Sequence, residues 1–301
     1  MSYRVRTVDV FTARPLAGNQ LAVVLDADGL DPGKMQDFAR EMNISETTYV
    51  LAPADPAHAA RVRIFTPTAE LAFAGHPTIG TAWVIRDEGL IPAGAESLVL
   101  EEGIGPVPVR VDAQAEPAVL WMTHPEVSFG AVFEDRTALV EALGLAPSDL
   151  AEGIPMQVAS TGNPFLFVAL REPQAVDAAQ CDAAALRRAF AGHVAEAVFI
   201  FAPAGPGRLY SRMFAPLTLG IWEDPATGSG TGPLGAFAVK HGLVPKAAEV
   251  DLVCEQGTRM GRQSFLKIRL AYSSADLPSL IEVGGSVRPV LSGELADGIL
   301  D

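Results

Sequence analysis

Polar and apolar residues alternate from the N-terminus through Val5, Thr7, Asp9 and Phe11, the pattern of a half-buried strand. A Gly18-Asn19 turn leads into a second strand over Leu21 to Leu25. Asp31-Pro32 then opens an amphipathic helix over Lys34 to Met42, with Asp31 placed to cap it and Pro32 suited to its first turn. Strands follow over Thr47 to Leu51 and Ala60 to Phe65. A Gly turn finally feeds a helix over Thr78 to Asp87, closed by Gly89. Ile79, Ala82, Trp83, Val84 and Ile85 leave that helix apolar nearly all round, and such a helix is buried. A second of the same kind runs from about Pro233 to Lys240, closed by Gly242. Short strands around one buried helix, twice over, predict an α+β fold and not a βαβ series.

The two buried helices belong to an internal repeat. Gly18 to Val24 resembles Gly162 to Val168, Ser45 to Pro53 resembles Ala195 to Pro203, and Arg63 to Pro67 resembles Arg212 to Pro216. Gly75-His76-Pro77, running on to Gly89-Leu90, resembles Gly228-Ser229-Gly230 running on to Gly242-Leu243. Four blocks recur in the same order at a near-constant offset of about 150 residues, an ordinary domain size. The expected division is 1–120 for the first half and 121–284 for the second, with a Pro- and Glu-rich crossover around Gln114 to Val127. The run Glu282 to Val287 reads as lying outside the repeat. A strand near 285–299 is expected to return to the first half.

Composition narrows the partners. The 301 residues are 49% apolar and 19% charged, which suits a packed core and not a disordered chain. A net charge of −14 repels phosphate backbones and anionic lipid, so nucleic acid and membrane surfaces are disfavoured. Cys181 and Cys254 are too few for a disulfide framework and lack metal-ligand spacing. No apolar run reaches the ~18 residues of a membrane span, and there is no signal-peptide pattern. A soluble, cytoplasmic protein is expected.

Candidate chemistry sits at the two Gly turns. Helix N-termini carry unpaired N–H groups and partial positive charge, and glycine lets a ligand approach them closely. A lone Gly turn reads as packing; a matched pair flanked by polar residues reads as a carboxylate or phosphate site. The first turn carries His76, and the second carries Asp224, Thr227 and Ser229. Asp224 aligns with Leu71 and so breaks the repeat. Glu46, at the edge of a buried strand, could act as a proton shuttle or be an ordinary loop glutamate, and Glu196 at the matching position leaves both readings open. His58, His124, His193 and His241 have no motif context and read as mostly surface residues. No metal pattern, dinucleotide fingerprint or Walker lysine is present, so no cofactor is indicated.

VDVFT (Val8 to Thr12), GNQLAVVLDADGL (Gly18 to Leu30), ISETTYV (Ile44 to Val50), RIFTPTAELAFAGHPTIGTA (Arg63 to Ala82), EDPATGSG (Glu223 to Gly230), QGTRMGRQS (Gln256 to Ser264) and VGGSV (Val283 to Val287) resemble the PhzF-like isomerases of phenazine biosynthesis nearly end to end. The resemblance implies the diaminopimelate epimerase-like fold: two pseudo-symmetric domains, each a barrel-like, mostly antiparallel sheet around a central helix. It implies Glu46 as catalytic acid/base, with His76 and Asp224 orienting substrate and proton. It further implies Gly75, Gly228, Ser229, Gly230 and Asn19 as substrate-binding positions. The reaction implied is a cofactor-free proton shift on a small unsaturated amino or hydroxy carboxylate, such as trans-2,3-dihydro-3-hydroxyanthranilate, by a homodimer. Two departures bear on the substrate: Gln20 where relatives often carry Pro, and Gly232-Pro233 where many carry a GALGAY-like sequence.

Two other readings compete. A two-base racemase on the same fold usually places a Cys beside each Gly turn, where this chain has His76 and the Thr227 to Gly230 turn. A non-catalytic small-molecule-binding protein is disfavoured by Glu46, His76, Asp224 and Ser229 occurring together.

Overall fold

The computed structural model describes residues 3–191, 197–216, 221–273, 276–296 and 298–300. It divides into two compact units, Met1–Thr123 with Val283–Asp301, and His124–Glu282.

In the first unit β1 (Arg4–Val10) and β2 (Asn19–Val24) form an antiparallel hairpin. Helix α1 (Pro32–Met42) then carries the chain to β3 (Glu46–Leu51), which lies parallel to β2. A parallel pair needs such a crossover. Asp31 caps α1 by accepting from the amides of Gly33 and Lys34. Strand β4 (Ala60–Phe65) runs antiparallel to β3, and the two-residue β5 (Glu70–Leu71) folds back on it. Helix α2 (Gly75–Asp87) precedes β6 (Ser97–Glu102), which is parallel to β4, and β7 (Gly105–Asp112) and β8 (Val119–Thr123) extend the sheet.

The sheet wraps α2, which contacts β1, β2, β3, β6 and β8. Of its 13 residues, only Trp83, Arg86 and Asp87 are not buried. Gly80 permits the close approach, since a Cβ there would lie 2.5 Å from Leu21 Cδ2 and 2.8 Å from Val10 Cγ2. Acidic residues at a helix C-terminus are unfavourable. Here Asp87 and Glu88 are offset by Arg6 and Arg4 of β1, each at 2.7 Å.

The second unit repeats this plan. Its elements are β9 (Ser128–Val132), α3 (Arg136–Ala142), β10 (Gln157–Ser160), β11 (Pro164–Ala169), α4 (Pro173–Ala178), α5 (Ala183–Ala189) and β12 (Val198–Pro203). Then come β13 (Arg208–Ala215), β14 (Ile221–Asp224), α6 (Gly228–Lys240), β15 (Glu249–Gln256) and β16 (Ser264–Ala271). Strands β10 and β11 pair antiparallel, β11 and β12 parallel, β12 and β13 antiparallel, and β13 and β15 parallel, as β1 to β6 do in the first unit. The β13–β14 hairpin sets Asp224 opposite Met213, as β4–β5 sets Leu71 opposite Ile64. Buried α6 lies in this sheet, its Phe237 5.6 Å from Phe167 and 5.8 Å from Phe201 between ring centroids.

Strands β17 (Leu280–Gly285) and β18 (Val287–Glu294) complete the chain, and β18 pairs with β1 as β9 pairs with β10. Strand β18 thus stands beside β1 in the first unit in the place that β9 holds beside β10 in the second.

Both central helices begin earlier than their apolar pattern suggested, at Gly75 and Gly228 in place of Thr78 and Pro233. Glycine disfavours helix by about 1 kcal/mol per residue, and interior proline removes one backbone bond. Burial outweighs that here. Pro233 leaves the Ser229 carbonyl without its usual intrahelical donor, and the Thr161 hydroxyl approaches it at 3.5 Å. Among the histidines, His124 is buried and not on the surface, while His58 and His241 are half-buried. His193 and Glu196 lie outside the described residues.

Candidate active site

In the first unit, Glu46 opens β3 and His76 is the second residue of α2, and both are buried. Glu46 Oε2 stands 3.2 Å from His76 Nε2. The same nitrogen is 3.2 Å from the Gln20 carbonyl oxygen, and His76 Nδ1 is 3.0 Å from Asn19 Nδ2. An amide NH2 only donates, so Nδ1 accepts and the imidazole proton resides on Nε2. That proton is donated to the Gln20 carbonyl, with the Glu46 carboxyl close beside it. Burial pushes His76 down to about 3, with the Gln20 carbonyl opposing, so the ring is neutral at physiological pH.

The hairpin explains the placement. Gly18, at φ +70°, sits where a Cβ would meet the Val10 carbonyl oxygen. This tight approach delivers Asn19, fully buried, against the His76 ring. Gln20 contributes its carbonyl, while its side chain is exposed, so the backbone contact does not depend on that residue's identity. Gly75 and His76 are the first two residues of α2, and their amides have no intrahelical acceptor.

In the second unit, Asp224 ends β14 and accepts from the Thr227 hydroxyl at 2.6 Å. Gln256, at the end of β15 and fully buried, ties this turn together. Its Nε2 donates to the Asp224 carbonyl at 2.7 Å and to Thr227 Oγ1 at 2.9 Å, and its Oε1 accepts from the Thr227 amide at 3.1 Å. Sequence reasoning assigned Gln256 no role, although it opens the quoted QGTRMGRQS motif.

The turn leads into α6, where the amides of Gly228 and Ser229 precede the first helical bonds. The Gly230 amide already donates to the Thr227 carbonyl at 3.1 Å. A Cβ on Gly230 would lie 2.9 Å from the Phe199 ring, so this glycine serves packing. Behind Ser229, His124 Nδ1 lies 2.8 Å from Thr161 Oγ1. The Thr161 hydroxyl also lies 3.5 Å from the Ser229 carbonyl. Burial likewise takes His124 down to about 3.

The cysteines stand apart from both turns. Cys254 lies on β15 against Ser211, and Cys181 lies between α4 and α5. Burial raises them to about 12 and about 11, so both are thiols. Among the described residues no group of three or more His, Cys, Asp or Glu could hold a metal ion, and no helix is long and apolar enough to cross a membrane.

Residues 8–293 match the family model described as phenazine biosynthesis-like protein. The chain is 37% identical over 285 residues to trans-2,3-dihydro-3-hydroxyanthranilate isomerase of Pseudomonas aeruginosa, covering 94% of this chain and 96% of that protein. The structure is similar to a Bacillus anthracis phenazine biosynthesis protein of the PhzF family, with a TM-score of 0.87 and 24% identity over 98% of this chain and 99% of that one. It also shares its fold with a hydroxyproline epimerase from Agrobacterium vitis, with a TM-score of 0.67 and 12% identity over 98% and 93% of the two chains. The expected α+β, diaminopimelate epimerase-like architecture is thus borne out. Matched along nearly its whole length to proteins that are isomerases, the chain belongs to the PhzF family of phenazine biosynthesis-like proteins and is itself an isomerase.

Proposed function

We propose that this isomerase shifts a proton along a small unsaturated amino or hydroxy carboxylate without a cofactor, with Glu46 as the single acid/base. The observation that carries the reading is the buried Glu46 carboxyl, 3.2 Å from a neutral His76 whose ring is held on its other side by Asn19. As carboxylate, Glu46 takes a proton from an sp3 carbon of the substrate and becomes the neutral acid. The electron pair left behind spreads through the conjugated system. Glu46 then returns the same proton to a carbon further along, and atoms and charge balance with no net exchange. The neutral His76 ring, its Nε2–H held by the Gln20 carbonyl, lies beside the carboxyl. Burial excludes water that would exchange the carried proton.

For the second unit we infer a substrate-holding role. The amides of Gly228 and Ser229 at the N-terminus of α6 suit a carboxylate. Asp224, oriented by Thr227 and Gln256, suits an amino or hydroxyl group on the substrate. The curated relative at 37% identity makes trans-2,3-dihydro-3-hydroxyanthranilate the first compound to try.

The experiment is incubation of the wild type and Glu46→Gln with that compound in D2O, followed by NMR. The expected result is a shifted double bond in wild type and a rate lower by about 10²–10⁴ in the variant. A variant that keeps the wild-type rate refutes Glu46 as the proton carrier. Label entering at one carbon without a double-bond shift would favour an epimerase.

A further inference from the structure

Glu102, the last residue of β6, is a buried carboxyl that the reaction above does not use. Its Oε1 lies 2.5 Å from Thr78 Oγ1, and Thr78 Oγ1 lies 2.7 Å from the carbonyl oxygen of Ala74. A hydroxyl carries one proton and cannot donate to both. If Glu102 were ionised, one of these two short contacts would join two oxygens with no hydrogen between them. Its Oε2, which has no hydrogen-bond partner among the described residues, would hold charge in the interior. Both difficulties vanish when Glu102 brings its own proton: Glu102 donates to Thr78, and Thr78 donates to Ala74.

Ala74 is the N-cap of α2 and offers no side-chain cap. Its carbonyl accepts from the Thr78 hydroxyl at 2.7 Å and from the Thr78 amide at 3.3 Å, two residues before His76. We propose that Glu102, as the neutral acid, is a positioning residue that fixes the first turn of α2, and with it His76, through Thr78. Ionisation of Glu102 would claim the Thr78 hydroxyl proton, leave the Ala74 carbonyl only its longer bond from the Thr78 amide, and so loosen the turn that carries His76.

The charged groups around Glu102 do not neutralise it. On β4, Arg61 is exposed and Arg63 is engaged by Glu70 of β5. Asp31, before α1, is exposed and caps that helix. On β6 itself, Glu101 accepts from the amides of Ala54 and Asp55 and sits 2.9 Å from His58 Nδ1, which hold it down at about 2. On α2, Thr78 makes the contact described and His76 is neutral. Burial raises Glu102 to about 8, so adjacent carboxyls on one strand are driven in opposite directions.

The test reads His76 directly. In protein labelled with 15N-histidine, the His76 ring signals (assigned with a His76→Gln control) are followed through the alkaline range in wild type and Glu102→Gln. His76 does not itself titrate there, so movement reports a neighbour. The expected result is a shift with a midpoint of about 8 in wild type, absent in the variant, whose amide keeps a donor for Thr78. Activity adds a second readout that rests on the proposed reaction: kcat should fall with the same midpoint in wild type, and Glu102→Gln should keep its neutral-pH activity and lose that limb. A His76 signal that stays flat in wild type, or that still shifts in Glu102→Gln, overturns the proposal. Failure of the substrate to turn over would count against the proposed reaction and leave the NMR result standing.

Discussion

Replacing Glu102 by Gln should remove a pH dependence from the stability of the first unit, and the structure sets its size. Folding raises the carboxyl from its ordinary 4.5 to about 8. Between those values the folded protein keeps a proton that the unfolded chain has released. Stability is therefore highest below pH 4.5 as far as this group is concerned, and falls as pH rises, levelling above the folded value. Each pH unit of that span is worth about 1.4 kcal/mol, so the rise from 4.5 to about 8 amounts to about 5 kcal/mol across the window. The amide of Glu102→Gln has no proton to lose, and the variant's curve lacks this slope. The assay is denaturant unfolding of both proteins from about pH 5 to about pH 9, with the difference in unfolding free energy plotted against pH. Because two units need not unfold together, hydrogen exchange at the α2 amides should be followed in parallel. The difference should grow in the variant's favour by about 1.4 kcal/mol per pH unit up to about pH 8. Parallel curves for the two proteins would refute a neutral, buried Glu102.

Other perturbations have equally definite outcomes. In the second unit, Arg212 holds Glu223 through two contacts of 2.8 and 2.9 Å and donates to the carbonyls of Val176 and Ala179. Arg212→Met should cost about 1–3 kcal/mol by denaturation, because it leaves a half-buried carboxylate and two carbonyls without their donor. Gly80→Ala gains about 1 kcal/mol in helix propensity but drives a Cβ into Leu21 and Val10. A net loss of about 1–2 kcal/mol is expected in thermal unfolding. His76 and His124 are both held neutral at about 3, below their ordinary 6.5. Their contribution to stability is intact above pH 6.5 and is lost as pH falls toward 3, so acid titration should show proton uptake on unfolding that shrinks in His124→Asn.

The parts of this fold written in local chemistry were legible before any coordinates. The hairpin glycine with its asparagine, the Asp31 cap and the all-apolar faces of α2 and α6 each announce themselves within a few residues. So did the repeat, because hairpins and helix entries recur with the same turn residues. The start of α6 was hidden because Gly-Ser-Gly-Thr-Gly-Pro contradicts helix propensity, and only burial against the sheet, with Thr161 reaching the Ser229 carbonyl, makes a helix of it. Of the candidate site, Glu46, His76, Asn19 and Asp224 stood out in motifs. Gln256, though inside a quoted motif, and His124, in none, were given no role, since each acts through partners between 29 and 37 positions away. Glu102 lies in none of the motifs, and its burial depends on how β6 meets α2.

The C-terminal strands bear on how the protein comes into being. Residues 283–294 belong to the first unit, and β18 is the only described partner on that side of β1. During synthesis the second unit, continuous from His124 to Glu282, has every strand it needs first. The first unit, made earlier, waits with one edge of β1 bare until more than 280 residues have been translated. Folding along the ribosome thus runs against chain order, and the long wait for that closing contact makes the nascent N-terminal half the segment most in need of chaperone cover.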